Sequence, residues 1–172
     1  MKEKSFSFNA EIYDSLDIKS YMSLENAHQQ YEELMQFLHK GNFHISYDAF
    51  LNLLSFCDKR EIIVFVVVDN KIISTAQGSL ALTPPRLHLL VNNVVTHGNY
   101  RKCGYGKLAI SYLEKLVTKN WSENSISNEI EVILTNNPNK GNGDFYKALG
   151  YKSRTEENKN PTVVWQKVLK TK

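Results

Sequence analysis

The chain has 172 residues, 42% of them apolar, with 21 basic against 18 acidic side chains and a net charge of +3. That is enough apolar material to bury one core and too much for a disordered segment. The cations are dispersed, apart from Lys167, Lys170 and Lys172 at the tail, which excludes the basic stripe of a nucleic-acid-binding protein.

The longest apolar run, Ile62 to Val68, is far shorter than the ~20 residues of a spanning helix. No apolar signal core follows Met1-Lys2-Glu3-Lys4-Ser5. Two cysteines, Cys57 and Cys103, and five scattered histidines form neither a disulfide framework nor a ligand spacing for metal. The expected setting is a reducing cytoplasm, with no metal and no membrane partner.

Residues 1 to 22 read as a polar lead-in with one short strand near Ile12 to Tyr21. Leu24, Ala27, Tyr31, Leu34, Met35 and Leu38 recur at helical spacing, with Ser23 placed to cap the start and Gly41 the end. A second helix is expected from Tyr47 to Lys59, with Ser46 before it and Asp48 in its first turn. Ile62 to Val68 is β-branched and apolar throughout, the pattern of a strand buried on both faces. Asp69-Asn70-Lys71 turns the chain into a partner strand, Ile72 to Leu82. Thr83-Pro84-Pro85 breaks it, and Leu87 to Thr96 forms the next strand.

A helix follows with Leu108, Ala109, Tyr112, Leu113, Leu116 and Val117 on one face. Glu129 to Thr135 alternates as a strand, a polar loop runs from Asn136 to Gly143, and a short helix, Asp144 to Leu149, stops at Gly150. Val163 to Val168 is the last strand. The order predicts a single domain over residues 1–172, of α/β class, with one mixed sheet and helices on both faces.

Between the strand ending at Thr96 and the helix carrying Leu108 lies Arg101-Lys102-Cys103-Gly104-Tyr105-Gly106-Lys107. A helix N-terminus offers free N–H donors and partial positive charge, and glycine lets a bulky anion reach the backbone. The stretch therefore reads as a seat for a phosphate-bearing ligand. A dinucleotide fingerprint does not fit, because the next strand ends in Thr135-Asn136 rather than an acidic residue. A Walker loop does not fit either, because Lys107 precedes Leu108 instead of a hydroxyl.

The same residues resemble the R/Q-x-x-G-x-G/A turn of the GNAT superfamily of N-acetyltransferases. A second match, Asn139 through Phe145-Tyr146 to Gly150-Tyr151, is similar to that family's N…lY…lGF segment. The similarity covers about residues 62 to 152. The resemblance implies the GNAT fold, a mostly antiparallel sheet with a splayed parallel pair, and acetyl-CoA as cosubstrate.

It further implies that main-chain N–H groups from Lys102 through Cys103, Gly104, Tyr105 and Gly106 to Lys107 face the coenzyme diphosphate. Arg101, Lys102 and Lys107 would add charge. The pantetheine arm would pair with the backbone of Val94, Val95 and Thr96, and Asn139 would touch the coenzyme. The N–H of Val95 or Thr96 would polarise the thioester carbonyl. Tyr146 holds the family's proton-donor position, and a phenol with pKa near ~10 is protonated at neutral pH.

Some relatives carry an acidic pair on the central strand where this chain has Asn92-Asn93, and an amide cannot take a proton. His88 and His97 are the alternatives for a base. The implied reaction is acetyl transfer to a primary amine of a small molecule, peptide or protein, by a chain that could form a homodimer. The alternative is an acyl-CoA-binding or regulatory module without turnover, and the Asn92-Asn93 pair is the feature that favours it.

Overall fold

The computed structural model describes residues 10–57, 60–83, 86–122, 129–136, 141–154 and 162–171. In chain order the elements are β1 (Glu11–Asp14), α1 (Ile18–Tyr21), α2 (Leu24–His39), α3 (Tyr47–Phe56), β2 (Glu61–Val68), β3 (Lys71–Thr83) and β4 (Arg86–Thr96). A 3-10 turn, Gly98–Tyr100, then leads into α4 (Tyr105–Ser122), β5 (Glu129–Asn136), α5 (Gly143–Ala148), β6 (Lys152–Ser153) and β7 (Val163–Lys170). The strands form one sheet in the order β1-β2-β3-β4-β5-β7-β6. β4 and β5 run parallel, and every other neighbouring pair is antiparallel.

Local chemistry accounts for most boundaries. Ser23 Oγ accepts from the Asn26 N–H and Ser46 Oγ from the Ala49 N–H, capping α2 and α3. Lys40 (φ 55°) and Gly41 (φ 82°) end α2 in left-handed geometry. Asp69 (φ 50°) and Asn70 (φ 61°) make the tight turn from β2 to β3.

Two expectations are revised and one element is new. The first strand stops at Asp14, because its Oδ1 accepts from the N–H groups of Leu16 and Asp17. That side-chain turn starts the short helix α1 and drives Ile18 into the core. The second helix ends at Phe56 rather than Lys59, where the Cys57 N–H tightens the last turn onto Leu54 O at 3.1 Å. The two-residue strand β6 lies below the length at which a period can be read from sequence. Pro84 and Pro85 of the expected break lie outside the described residues.

The sheet is covered on both faces. On one, Ala109, Ile110, Leu113 and Val117 of α4 pack over Val64, Val66, Leu89, Val91, Ile130 and Val132. On the other, Ala27, Tyr31, Leu34, Met35 and Phe50 of α2 and α3 pack over Ile63, Phe65 and Val67. β2 is thus buried on both sides, which is why its sequence lacks the polar alternation of a half-exposed strand. Among the described residues, no helix is long and apolar enough to cross a membrane.

Phe65 is fully buried beneath Tyr31, ring centroids 6.1 Å apart. Phe65→Ala is expected to lower the unfolding free energy by about 3–5 kcal/mol in urea titrations followed by circular dichroism. A loss under about 1 kcal/mol would contradict this packing.

Candidate active site

β4 and β5 pair from Leu87 opposite Ile130 to Val91 opposite Leu134, and the pairing then stops although both strands continue. On its other side β4 stays bonded to β3 as far as Thr96 opposite Ser74, but with an irregular register: Gln77 faces Asn92 and Thr75 faces Val95. Asn93 and Val94 therefore bulge opposite the single residue Ala76, which bends the strand and increases its twist. Asn93 takes a left-handed conformation (φ 48°), which asparagine tolerates better than most residues, and its Nδ2 donates to Gln77 Oε1 at 2.9 Å. β5 meanwhile follows β7 to Asn136 opposite Val163.

The two strands part around a cleft of about 420 Å³. Val91 to Val94 line one wall and Leu134 to Asn136, Asn142 and Tyr146 the other, with Leu38 and His39 of α2 at one side.

At the end of β4, the Val95 carbonyl accepts from Ser74 Oγ (2.9 Å) and the His97 N–H donates to Ile73 O (2.8 Å). Both groups face β3, so the two-residue alternation of a strand turns the peptide edges of Val94 and Thr96 towards the cleft side. The Thr96 carbonyl accepts from Arg101 Nε at 3.3 Å, which folds the turn back on its strand. His97 Nδ1 accepts from the Asn99 N–H, and its ring packs 4.6 Å from Phe37. Burial, then the charges of Lys71 and Arg101, hold the His97 pKa below its ordinary value and so favour the neutral, accepting ring.

Lys102 (φ 61°) and Gly104 (φ 87°) are both left-handed, the geometry that turns successive N–H groups into one concavity. The first hydrogen bond of the α4 ladder runs from the Leu108 N–H to Gly104 O at 3.0 Å. The amides of Tyr105, Gly106 and Lys107 precede that bond and lie at the positive end of the helix dipole. Arg101, Lys102 and Lys107 are exposed around them. A Cβ on Gly106 would come within 3.1 Å of Thr96 Oγ1 and 3.5 Å of Phe145 Cζ, so glycine is what lets the helix start seat this closely on β4. Cys103 is half-buried, with Sγ 3.5 Å from Arg101 O, and fills the turn. The Tyr105 ring packs edge-on against Tyr100.

Tyr146 is 7% exposed and packs against Trp165 and Tyr151, ring centroids 5.7 Å and 6.1 Å away. Burial raises its pKa above the usual tyrosine value of 10.0, so the phenol stays protonated at neutral pH. The turn after α5 is anchored from below. The Tyr151 hydroxyl donates to Glu114 Oε1 and Lys167 Nζ to Glu114 Oε2, both at 2.7 Å. Trp165, besides packing in the core, donates from Nε1 to Asn136 Oδ1 at 2.8 Å.

Of the expected site residues, Val94 and Tyr146 line the cleft, the Val95 carbonyl is engaged by β3, and Thr96 turns its peptide edge to the cleft side while its hydroxyl meets Ser74 Oγ. The run Arg101 to Lys107 forms the helix start. Asn139 lies outside the described residues. His88 is not in the cleft wall: its Nδ1 is 3.0 Å from Glu131 Oε2, four residues back along β4 from Asn92. The histidine that lines the cleft is His39, whose ring stacks on Phe43. No sequence periodicity signals that role, because it depends on where the end of α2 packs.

Among solved structures, the chain is similar to a Trypanosoma brucei acetyltransferase (TM-score 0.65, 16% identity, 86% of this chain and 96% of that one). It is also similar to glucosamine-6-phosphate N-acetyltransferase from Arabidopsis thaliana (TM-score 0.65, 15% identity, 86% and 94%). A third similar structure is PaiA N-acetyltransferase from Thermoplasma acidophilum in complex with coenzyme A (TM-score 0.56, 17% identity, 92% and 98%). No curated protein matches the sequence. These likenesses establish the fold. The profile of the acetyltransferase (GNAT) family matches residues 24–151, a span that takes in α2, the parting strands, the glycine turn and α5. With both motifs inside that span, this chain belongs to the acetyltransferase (GNAT) family and is by class an acyltransferase.

Proposed function

We propose that the chain transfers an acetyl group from acetyl-CoA, a substrate consumed at each turnover, to a primary amine of a small molecule or peptide. The observation that carries this reading is the cleft between the parting ends of β4 and β5, walled by a buried, protonated Tyr146, with the helix start of α4 seated on Thr96 at the end of the same β4.

The residues present fit the ligand. The left-handed turn and the first amides of α4 supply donors for a diphosphate, and Arg101, Lys102 and Lys107 supply charge. The unpaired edge of β4 supplies peptide groups to an extended, amide-bearing arm. A coenzyme A complex of a similarly folded protein supports the same ligand class here.

In the reaction, the neutral amine nitrogen attacks the thioester carbonyl carbon. The N–H of Val94, on the cleft edge, is placed to steady the oxygen as negative charge grows there. The C–S bond breaks, the thiolate leaves, and the Tyr146 O–H protonates it. The attacking nitrogen sheds one proton, and His39 is the described histidine lining the cleft that can take it. Asn93 has a structural reason to be asparagine, the bulge and its bond to Gln77, so its lack of a carboxylate is not by itself an argument for a module without turnover. An acetyltransferase of this fold that is named for glucosamine 6-phosphate supports a small amine as acceptor class.

Gly104→Glu adds both left-handed strain and a negative charge at the diphosphate seat. Wild-type protein at a hundredfold excess of acetyl-CoA over Kd is expected to gain about 2.7 kcal/mol of stability. The variant, folded by circular dichroism, should gain none in the same thermal-shift experiment, and an unchanged gain would refute the phosphate seat. Tyr146→Phe should lower kcat about 10²-fold at unchanged acetyl-CoA affinity, measured by thiol release over an amine panel. Since burial raises the Tyr146 pKa, the acid form persists upward in pH, and the alkaline fall of kcat is expected above pH 10.0. Equal turnover in Tyr146→Phe would remove the tyrosine as the acid.

A further inference from the structure

Asn136 stands at the end of β5, on the wall of the cleft opposite the free edge of β4. A second, smaller cavity of about 190 Å³, lined by Gly143, Lys147 and Trp165, lies against the other side of the same residue. Asn136 is therefore a partition whose two amide ends face different surroundings. Which end faces which is decided by Trp165. An indole Nε1–H is a donor and never an acceptor, so the atom it meets at 2.8 Å must be Oδ1. The oxygen is engaged on the tryptophan side, and the NH₂ group, two donors, is left for the cleft. Trp165 is itself 1% exposed and packed against Tyr146, so the orientation is held by core packing and not by a surface contact.

The face of the sheet identifies the ligand. Leu134 and Trp165, register partners on β5 and β7, lie in the core cluster beneath α4, the helix whose start forms the diphosphate seat. Asn136, two residues beyond Leu134, shares that face, whereas Thr135 points to the opposite one. A coenzyme with its diphosphate at the start of α4 and its arm in the cleft would run along the face that Asn136 shares. Pantetheine carries two secondary amides, and their carbonyl oxygens need donors once the arm leaves water.

We propose that Asn136 is a coenzyme-positioning residue that donates from Nδ2 to an amide carbonyl of the pantetheine arm, with Trp165 Nε1–H setting its orientation. This rests on the acetyl-CoA reading above. It adds a side-chain grip on β5 to the backbone grip on β4, so that the arm is held from both walls and the thioester is aimed at Tyr146 and Val94.

The decisive substitution is Asn136→Asp. Aspartate is isosteric and still accepts from Trp165, so a purely structural Asn136 would tolerate it. A coenzyme-binding Asn136 would not, because the cleft would then meet an acceptor where it needs a donor. Affinities for CoA and for adenosine 3′,5′-bisphosphate, which lacks pantetheine, are measured by calorimetry on the full chain. Asn136→Asp should weaken CoA at least tenfold and leave the bisphosphate within twofold. Asn136→Ala should weaken CoA several-fold, Trp165→Phe somewhat less, and the double variant no more than Asn136→Ala alone, because the tryptophan acts through the amide.

Unchanged CoA affinity in Asn136→Asp would overturn the proposal. So would equal losses for both ligands, which would mean general charge repulsion. Wild-type protein that binds neither ligand would bring down the acetyl-CoA reading itself, a failure told apart by its appearance before any substitution is made.

Discussion

The geometry of the site depends on one constraint: β4 must remain bonded to β3 while it lets go of β5. The bulge at Asn93 and Val94 meets it. Two residues opposite Ala76 bend β4 without releasing it from β3, so the strand keeps one ladder and loses the other. A strand edge with unpaired N–H and C=O groups inside a protein is costly unless something pairs with it. Here the free edge faces a cleft of about 420 Å³, and in the acetyl-CoA reading the coenzyme's arm takes the place of the missing ladder partner. The position of the left-handed turn before α4 follows, since it begins where that same strand ends, held by Ser74, Ile73 and Thr96.

The opposite wall is rigid for a different reason. α5 has six residues, too few to be stable alone. It is held by Tyr146 against Trp165 and by the turn at Gly150, where Tyr151 and Lys167 converge on buried Glu114 of α4. A carboxylate this buried is tolerated because both oxygens are engaged. Burial and the Glu114 charge push the Tyr151 hydroxyl far above the ordinary tyrosine range, so it remains a donor throughout the working pH range. Tyr146 and the amide of Asn136 thus rest on one indole, which lies in the core cluster beneath α4.

Much of this was legible in the residues. The uniform β-branched run of β2 announced a strand buried twice over, Ser23 and Ser46 announced helix starts, and the glycines of 104–106 announced the turn into α4. What was not legible depended on three-dimensional register. Asn92-Asn93 reads in sequence as amides in place of an acidic pair, and only the structure adds that Asn93 sits in a bulge that suits a residue at ease with positive φ. Val95 and Thr96 looked equivalent to Val94 on a free strand, and only the bonds of Val95 and His97 to β3 decide which peptide edge faces the cleft. His39 and Asn136 carry no motif at all. Each lines the cleft because of how a helix end or a tryptophan packs.

The most direct test of the central claim is amide hydrogen exchange with and without CoA, read residue by residue. Slower exchange on binding at Val94 and from Lys102 to Lys107, with α3 and β1 unaffected, is what an edge-pairing arm and a gripped diphosphate require. Protection confined to α2 and α3, with the β4 edge and the α4 turn exchanging as before, would contradict it.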